Sequence, residues 1–211
     1  MASWNSQETT NEHLLPYLDA ETAPPEVKAG MRALPVERNI FKILGHSTVN
    51  FPPFMKLLTS QWHANRTLRS SDWQTAVLRT AAILDAPYEW EVNEPVARIF
   101  DFSDEQLAAL KNPHMELPEA LFSLRRRLIA RAIEELSGAE NRITPETLER
   151  VKGVLNTEEI LELLYMHGVY SFLARVMKTV NIDSDGPIPG LEGSLRKYNA
   201  TAIEKERRCK D

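Results

Sequence analysis

The sequence predicts an all-α fold in a single domain, and three observations carry that expectation. Apolar residues recur at helical spacing in segment after segment, as in Tyr88, Val92, Val96 and Ile99. Helix-start signals stand ahead of such segments: Ser103 with Gln106, Asn156 with Glu159, and Thr144 followed by Pro145. No stretch shows the alternation of apolar and polar residues that marks a strand. With 211 residues and 43% hydrophobic content, the chain is long enough for one real core and short for two.

In chain order, residues 1–24 are polar apart from His13 to Leu18, and end at the breaker Pro24-Pro25. They read as an arm, either mobile or strapped over a neighbour. The domain proper is expected over residues 25–183. EVKAGMRAL and VERNIFKILGH read as short helices, the second closed by Gly45 as a C-cap. NFPPFMKLLTSQWHANRTL places Phe54, Leu57, Leu58 and Trp62 on one side, with His63 next to it. The centre is a helical hairpin: WQTAVLRTAAIL, a break at Asp85-Ala86-Pro87, and YEWEVNEPVARIF. Pro87 suits the first turn of a helix and disfavours helical geometry at Ala86, so the chain breaks and restarts there.

Ser71 with Gln74 has the form of a capping box, which offers Gln74 a local role beside a pocket role. DEQLAAL follows as a short helix. PEALFSLRRRLIARAIEELSGAE reads as a long one, its Arg125-Arg126-Arg127 run a solvated face because three successive residues point in different directions. TPETLERVKGVL is short. TEEILELLYMHGVYSFLARVMKTVNI is apolar on nearly every face from Ile160 to Met177, so it must be covered all round, at the subunit centre or at a contact between subunits. A homo-oligomer, dimer or trimer, is therefore expected. Gly168 within that helix suggests close approach of another helix. Residues 184–211 read as a loop and then a solvated, charged end.

Composition narrows the function. The net charge of −5 and the lack of a basic face argue against nucleic acid as a partner. The single cysteine, Cys209, allows neither a disulfide framework nor a thiol pair. No secretory leader and no membrane span are read, so the expected place is the cytoplasm. No zinc-type spacing of His and Cys occurs, and no glycine-rich nucleotide loop; no cofactor and no metal are expected.

Glu89 and Asn93 lie one turn apart beside the apolar stripe of the second hairpin helix. A carboxylate and an amide there serve either a half-buried pocket or an ordinary boundary pair. The run LRTAAILDAPYEWEVNEPVARIFDFSDEQLAAL, with ELLYMHGVYSFLARVM near the end, resembles the carboxymuconolactone decarboxylase family, whose fold is the all-helical AhpD-like bundle. The likeness spans roughly residues 28–183. It places the family's first glutamate at Gln74, its two cysteine positions at Ala86 and Glu89, and its histidine at Asn93; Asp101 stands where the family usually has glycine. Without thiols at Ala86 and Glu89, thiol peroxidase chemistry has neither nucleophile nor resolving group.

The resemblance then implies a cofactor-independent lyase or isomerase, decarboxylase-like, acting on a small, largely apolar organic acid, lactone or polyketide-like molecule. Glu89 is the expected acid or base and Asn93 a stabiliser of developing charge, with His63 and His46 the candidate sources of the missing proton. Gln74, Tyr88, Trp90 and Trp62 are the expected substrate contacts. The rival is a non-catalytic oligomeric binding or scaffold protein that kept the fold and lost the proton relay. An apolar pocket lined by Glu89 and open to solvent favours the enzyme, whereas a Glu89 that merely caps or pairs with an arginine favours the scaffold.

Overall fold

The computed structural model describes residues 13–36, 38–63 and 65–209, and within them the chain is helical with no strand. Among these residues eleven helices follow in order: α1 Pro25–Met31, α2 Asn39–Leu44, α3 Phe51–Ser60, α4 Ser70–Ile83, α5 Pro87–Ile99, α6 Asp104–Lys111, α7 Leu124–Ser137, α8 Pro145–Lys152, α9 Thr157–Val180, α10 Leu191–Tyr198 and α11 Ala200–Arg207. The α4–α5 hairpin is the centre. Every residue of α4 from Ser70 to Ala81 is buried, because α5, α7 and α9 pack around it. Its Trp73, Ala76 and Val77 belong to a core shared with α1 to α3, α7 and α9. Its Leu78 and Ala81 join a second core with Trp90, Ala97, Leu107 and Phe122.

The local signals act as read at most helix starts. The capping boxes at Ser103/Gln106 and Asn156/Glu159 are both formed, and Thr144 caps α8 with Pro145 behind it. In the hairpin turn Asp85 adopts a left-handed backbone (φ 50°) and Pro87 opens α5. Asp101, standing where glycine was expected, is also left-handed at φ 63°. Gly45 is the C-cap of α2, but with a right-handed backbone. Its need for glycine is space, since a Cβ there would lie 2.6 Å from Met31 Cε.

Several expectations are corrected by tertiary contacts. Ser71 is not a cap: α4 begins at Ser70, and the N–H groups of that residue and of the loop just before it are met by carboxylates from far along the chain. Glu162 of α9 accepts from Thr67 and Leu68, and Glu206 of α11 accepts from the Ser70 N–H and the Ser71 hydroxyl. Helix α7 begins at Leu124 rather than Pro118, and the arginine run is not a solvated face. Arg125 bridges buried Asp72 at 2.6 Å and Glu159 at 2.6 Å, while Arg126 lies over the Phe102 ring. The C-terminal segment is not a free tail; it forms α10 and α11, with Leu195 and Asn199 buried.

The arm from His13 onward lies on its own subunit. Leu14 N–H donates to Val180 O, Leu18 N–H to Lys42 O, and the Tyr17 hydroxyl to Asp183; residues 1–12 lie outside the described residues. Arg79, whose side chain is 1% exposed, ties the α6–α7 connection to the hairpin. Its guanidinium pairs with Glu134 at 2.5 Å and donates to the carbonyls of Asn112 at 2.6 Å and Met115 at 2.8 Å.

Candidate functional site

Helix α5 supplies the site because its restart at Pro87 turns Glu89, Asn93 and Val96 toward the space between α2, α3, α9 and α10. That space is a cavity of about 80 Å³. Ile40, Leu58 and Trp62 wall it from the N-terminal half, and Tyr170, Leu173 and Met177 from α9. Leu195, Tyr198 and Asn199 close it from the C-terminal segment. The lining is overwhelmingly apolar.

Glu89 is the exception that matters. Its side chain is fully buried and, among the described residues, neither carboxyl oxygen has a hydrogen-bond partner. Burial alone pushes its pKa well above the ordinary carboxylate value, since no cation or donor offsets the lost hydration. Burial thus favours the protonated carboxyl over the carboxylate. Asn93 donates from Nδ2 to the Glu89 carbonyl at 2.8 Å, and its Oδ1 meets the Tyr170 hydroxyl at 3.5 Å. The Tyr170 hydroxyl is also shifted upward, by burial first and by the proximity of Glu89 second, so it too stays protonated. Arg38 lines the cavity but is committed to Asp185 at 2.9 Å.

The structure brings together Glu89, Asn93 and Trp62 of the residues named from sequence. His63 does not join them: it is exposed, and its Nδ1 accepts from the Asn65 N–H. Tyr88 is buried, but its hydroxyl donates to Asp185 at 2.7 Å and anchors the loop after α9 instead of a ligand. Trp90 packs in the second core and its indole N–H donates to Glu94 at 2.8 Å. Gln74 is buried on α4 and is not among the residues that line the cavity. The reason for Tyr88 and Trp90 is helical geometry, since each step along a helix turns the side chain about 100°. Neighbours of Glu89 in sequence therefore leave its face. The residues missed from sequence, Tyr170, Arg38, Tyr198 and Asn199, come from distant segments and carry no local motif.

A second concavity, an open apolar groove of about 570 Å³, runs along the outer face of α9 against α3. Leu161, Tyr165 and Phe172 are exposed there, and Gly168 leaves a notch in which an added Cβ would meet no atom within 4 Å. Among the described residues no group of three or more His, Cys, Asp or Glu is placed to hold a metal ion, and no helix is long and apolar enough to cross a membrane.

No protein-family model matches this chain, and no curated protein matches it. Solved structures do. An uncharacterized peroxidase-related protein from Ralstonia eutropha JMP134, described as an alkylhydroperoxidase AhpD core, superposes with a TM-score of 0.72 at 13% identity, over 89% of this chain and 98% of that one. A peroxidase-related protein from Silicibacter sp. TM1040 gives a TM-score of 0.71 at 14% identity, over 91% and 100%. The debrominase Bmp8, in complex with 2,3,4-tribromopyrrole, gives a TM-score of 0.64 at 12% identity, over 93% and 99%. Across nearly their whole length, then, these chains share one architecture with this protein, which has the all-helical AhpD-like fold.

Proposed function

We propose that this protein is a cofactor-independent enzyme, a lyase or isomerase, that moves a proton on a small, largely apolar molecule held in the Glu89 cavity. The observation that carries this reading is the Glu89 carboxyl itself, buried and unpartnered on the cavity wall. Burying such a group without a partner costs stability, and strained, unsatisfied polar groups of this kind cluster at functional sites. Held neutral, Glu89 gives its proton to a carbonyl oxygen of the substrate while its other oxygen takes one from the adjacent carbon, which forms the enol; the reverse exchange at another carbon gives the product and restores the acid. The Tyr170 hydroxyl donates its one O–H to Asn93 Oδ1 and so holds that amide in place beside Glu89. Because Arg38, the arginine on the wall, is committed to Asp185, the cavity favours a lactone or another neutral molecule over a free carboxylate. The complex of Bmp8 with a halogenated pyrrole, on the same fold, supports a small ring compound as the kind of ligand.

The groove along α9 supports the second part of the reading, a homo-oligomer, dimer or trimer. Its exposed Leu161, Tyr165 and Phe172 form a patch of the kind that marks association surfaces, and the notch at Gly168 lets a second copy's side chain approach the helix.

The test of the enzyme reading begins with neutral lactones and small cyclic ketones screened by thermal shift, where binding to the native state raises the melting temperature. With a substrate so found, Glu89→Gln lowers turnover by about 10²- to 10⁴-fold while the circular dichroism spectrum is unchanged. Full turnover by that variant refutes the role of Glu89.

A further inference from the structure

The C-terminal segment contributes more than a wall. Asn199, at the junction of α10 and α11, is 3% exposed and lines the cavity. Its Nδ2 donates to the Leu195 carbonyl at 2.9 Å, which fixes the side chain and leaves Oδ1 buried without a partner among the described residues. Asn93 is held the same way, by its own Nδ2 on the carbonyl four residues back, with Oδ1 turned to a distant hydroxyl. Asn93 Oδ1 is thus already met, and the oxygens on the wall left without a donor among the described residues are Asn199 Oδ1 and those of the Glu89 carboxyl. Asn199 Oδ1 in particular lacks a hydrogen-bond donor. A ligand that brings an N–H or O–H satisfies an acceptor that water has been excluded from.

Size limits the class further. At about 80 Å³ the cavity is about half the roughly 150 Å³ known to take benzene in an engineered protein, so the ligand is smaller than benzene, with a five-membered ring as the upper limit. We propose that Asn199 is a ligand-binding residue that sets specificity, accepting a hydrogen bond from the N–H or O–H of a small neutral ring compound and rejecting its donor-less isostere. This rests on the reading of the Glu89 cavity as a small-molecule site.

Pyrrole and furan test it, as rings of one size that differ in having or lacking the N–H. Titrated into the full-length protein and followed by nuclear magnetic resonance, pyrrole binds about 5- to 100-fold more tightly than furan, the range expected when a buried acceptor is satisfied or left unpaired. Asn199→Leu brings the two affinities together, and in the wild type the Asn199 side-chain NH₂ resonances move with pyrrole and not with furan. Equal affinities in the wild type overturn the proposal, as does a pyrrole preference that survives Asn199→Leu. If that variant does not fold, the Asn199 resonances of the wild type decide alone, and their indifference to pyrrole overturns it. Failure of both rings to bind, with Val96 and Tyr170 signals unmoved, overturns Asn199's role, while the Glu89 site stands or falls on the separate screen with lactones and cyclic ketones.

Discussion

Replacing Glu89 by glutamine changes one proton's worth of free energy and almost no volume, which makes it a direct test of the neutral acid. In the unfolded chain a glutamate titrates near 4.5, whereas in the fold burial raises Glu89 well above that value. The native state therefore binds this proton more tightly. Between about 4.5 and the raised value, the unfolded chain holds up to one proton fewer than the native chain, and the unfolding free energy falls as pH rises, by up to ~1.4 kcal/mol per pH unit. Below that window the group costs nothing by ionisation; above it the full loss persists. Glu89→Gln has no such proton to lose. Its stability relative to wild type should therefore grow with pH, and the other titrating groups cancel in the difference because both proteins carry them. Urea unfolding followed by circular dichroism at about pH 5, 6, 7 and 8 measures this difference directly. A difference that stays flat across that range means Glu89 ionises in the fold as it does in the unfolded chain. The neutral-acid chemistry then has no basis.

Three further outcomes are expected. Arg79→Met strips a 1%-exposed guanidinium from Glu134 and from the carbonyls of Asn112 and Met115, and should cost about 3–5 kcal/mol in urea unfolding; a loss below about 1 kcal/mol would show those carbonyls are solvated. The purified protein should not turn over hydroperoxides with any dithiol donor, because Ala86 and Glu89 hold no sulfur and Cys209 is the single thiol; turnover that survives Cys209→Ser sinks that reasoning. Light scattering should give a dimer or trimer of the 24.0 kDa chain, and Tyr165→Glu with Phe172→Asp should return it to a monomer with its helix content intact. A wild-type monomer at all concentrations would leave the α9 groove without this partner.

What could be read from residues alone was whatever depends on near neighbours in the chain. Capping boxes at Ser103 and Asn156, the Pro87 restart and the 3.6-residue stripes act over one or two turns, so an all-α chain with its central hairpin was legible before any packing was known. Glu89 and Asn93 were legible as a pair for the same reason. The rest of the site depends on what meets α5 in space. Tyr170 reaches Asn93 across 77 positions, Tyr88 finds Asp185 across 97, and Glu206 caps α4 across 136; no local pattern encodes such pairings. The arginine run shows the same limit. That Arg125, Arg126 and Arg127 point in different directions follows from the helix, but only the positions of Asp72 and Glu159 turn Arg125 into a buried bridge. Above all, the chemical character of Glu89 rests on its burial and on the lack, among the described residues, of a hydrogen-bond partner for either carboxyl oxygen. The sequence made a carboxyl available on an inward face; the packing of α2, α9 and α10 around it, which strips its hydration and leaves its oxygens unpaired, raised its pKa.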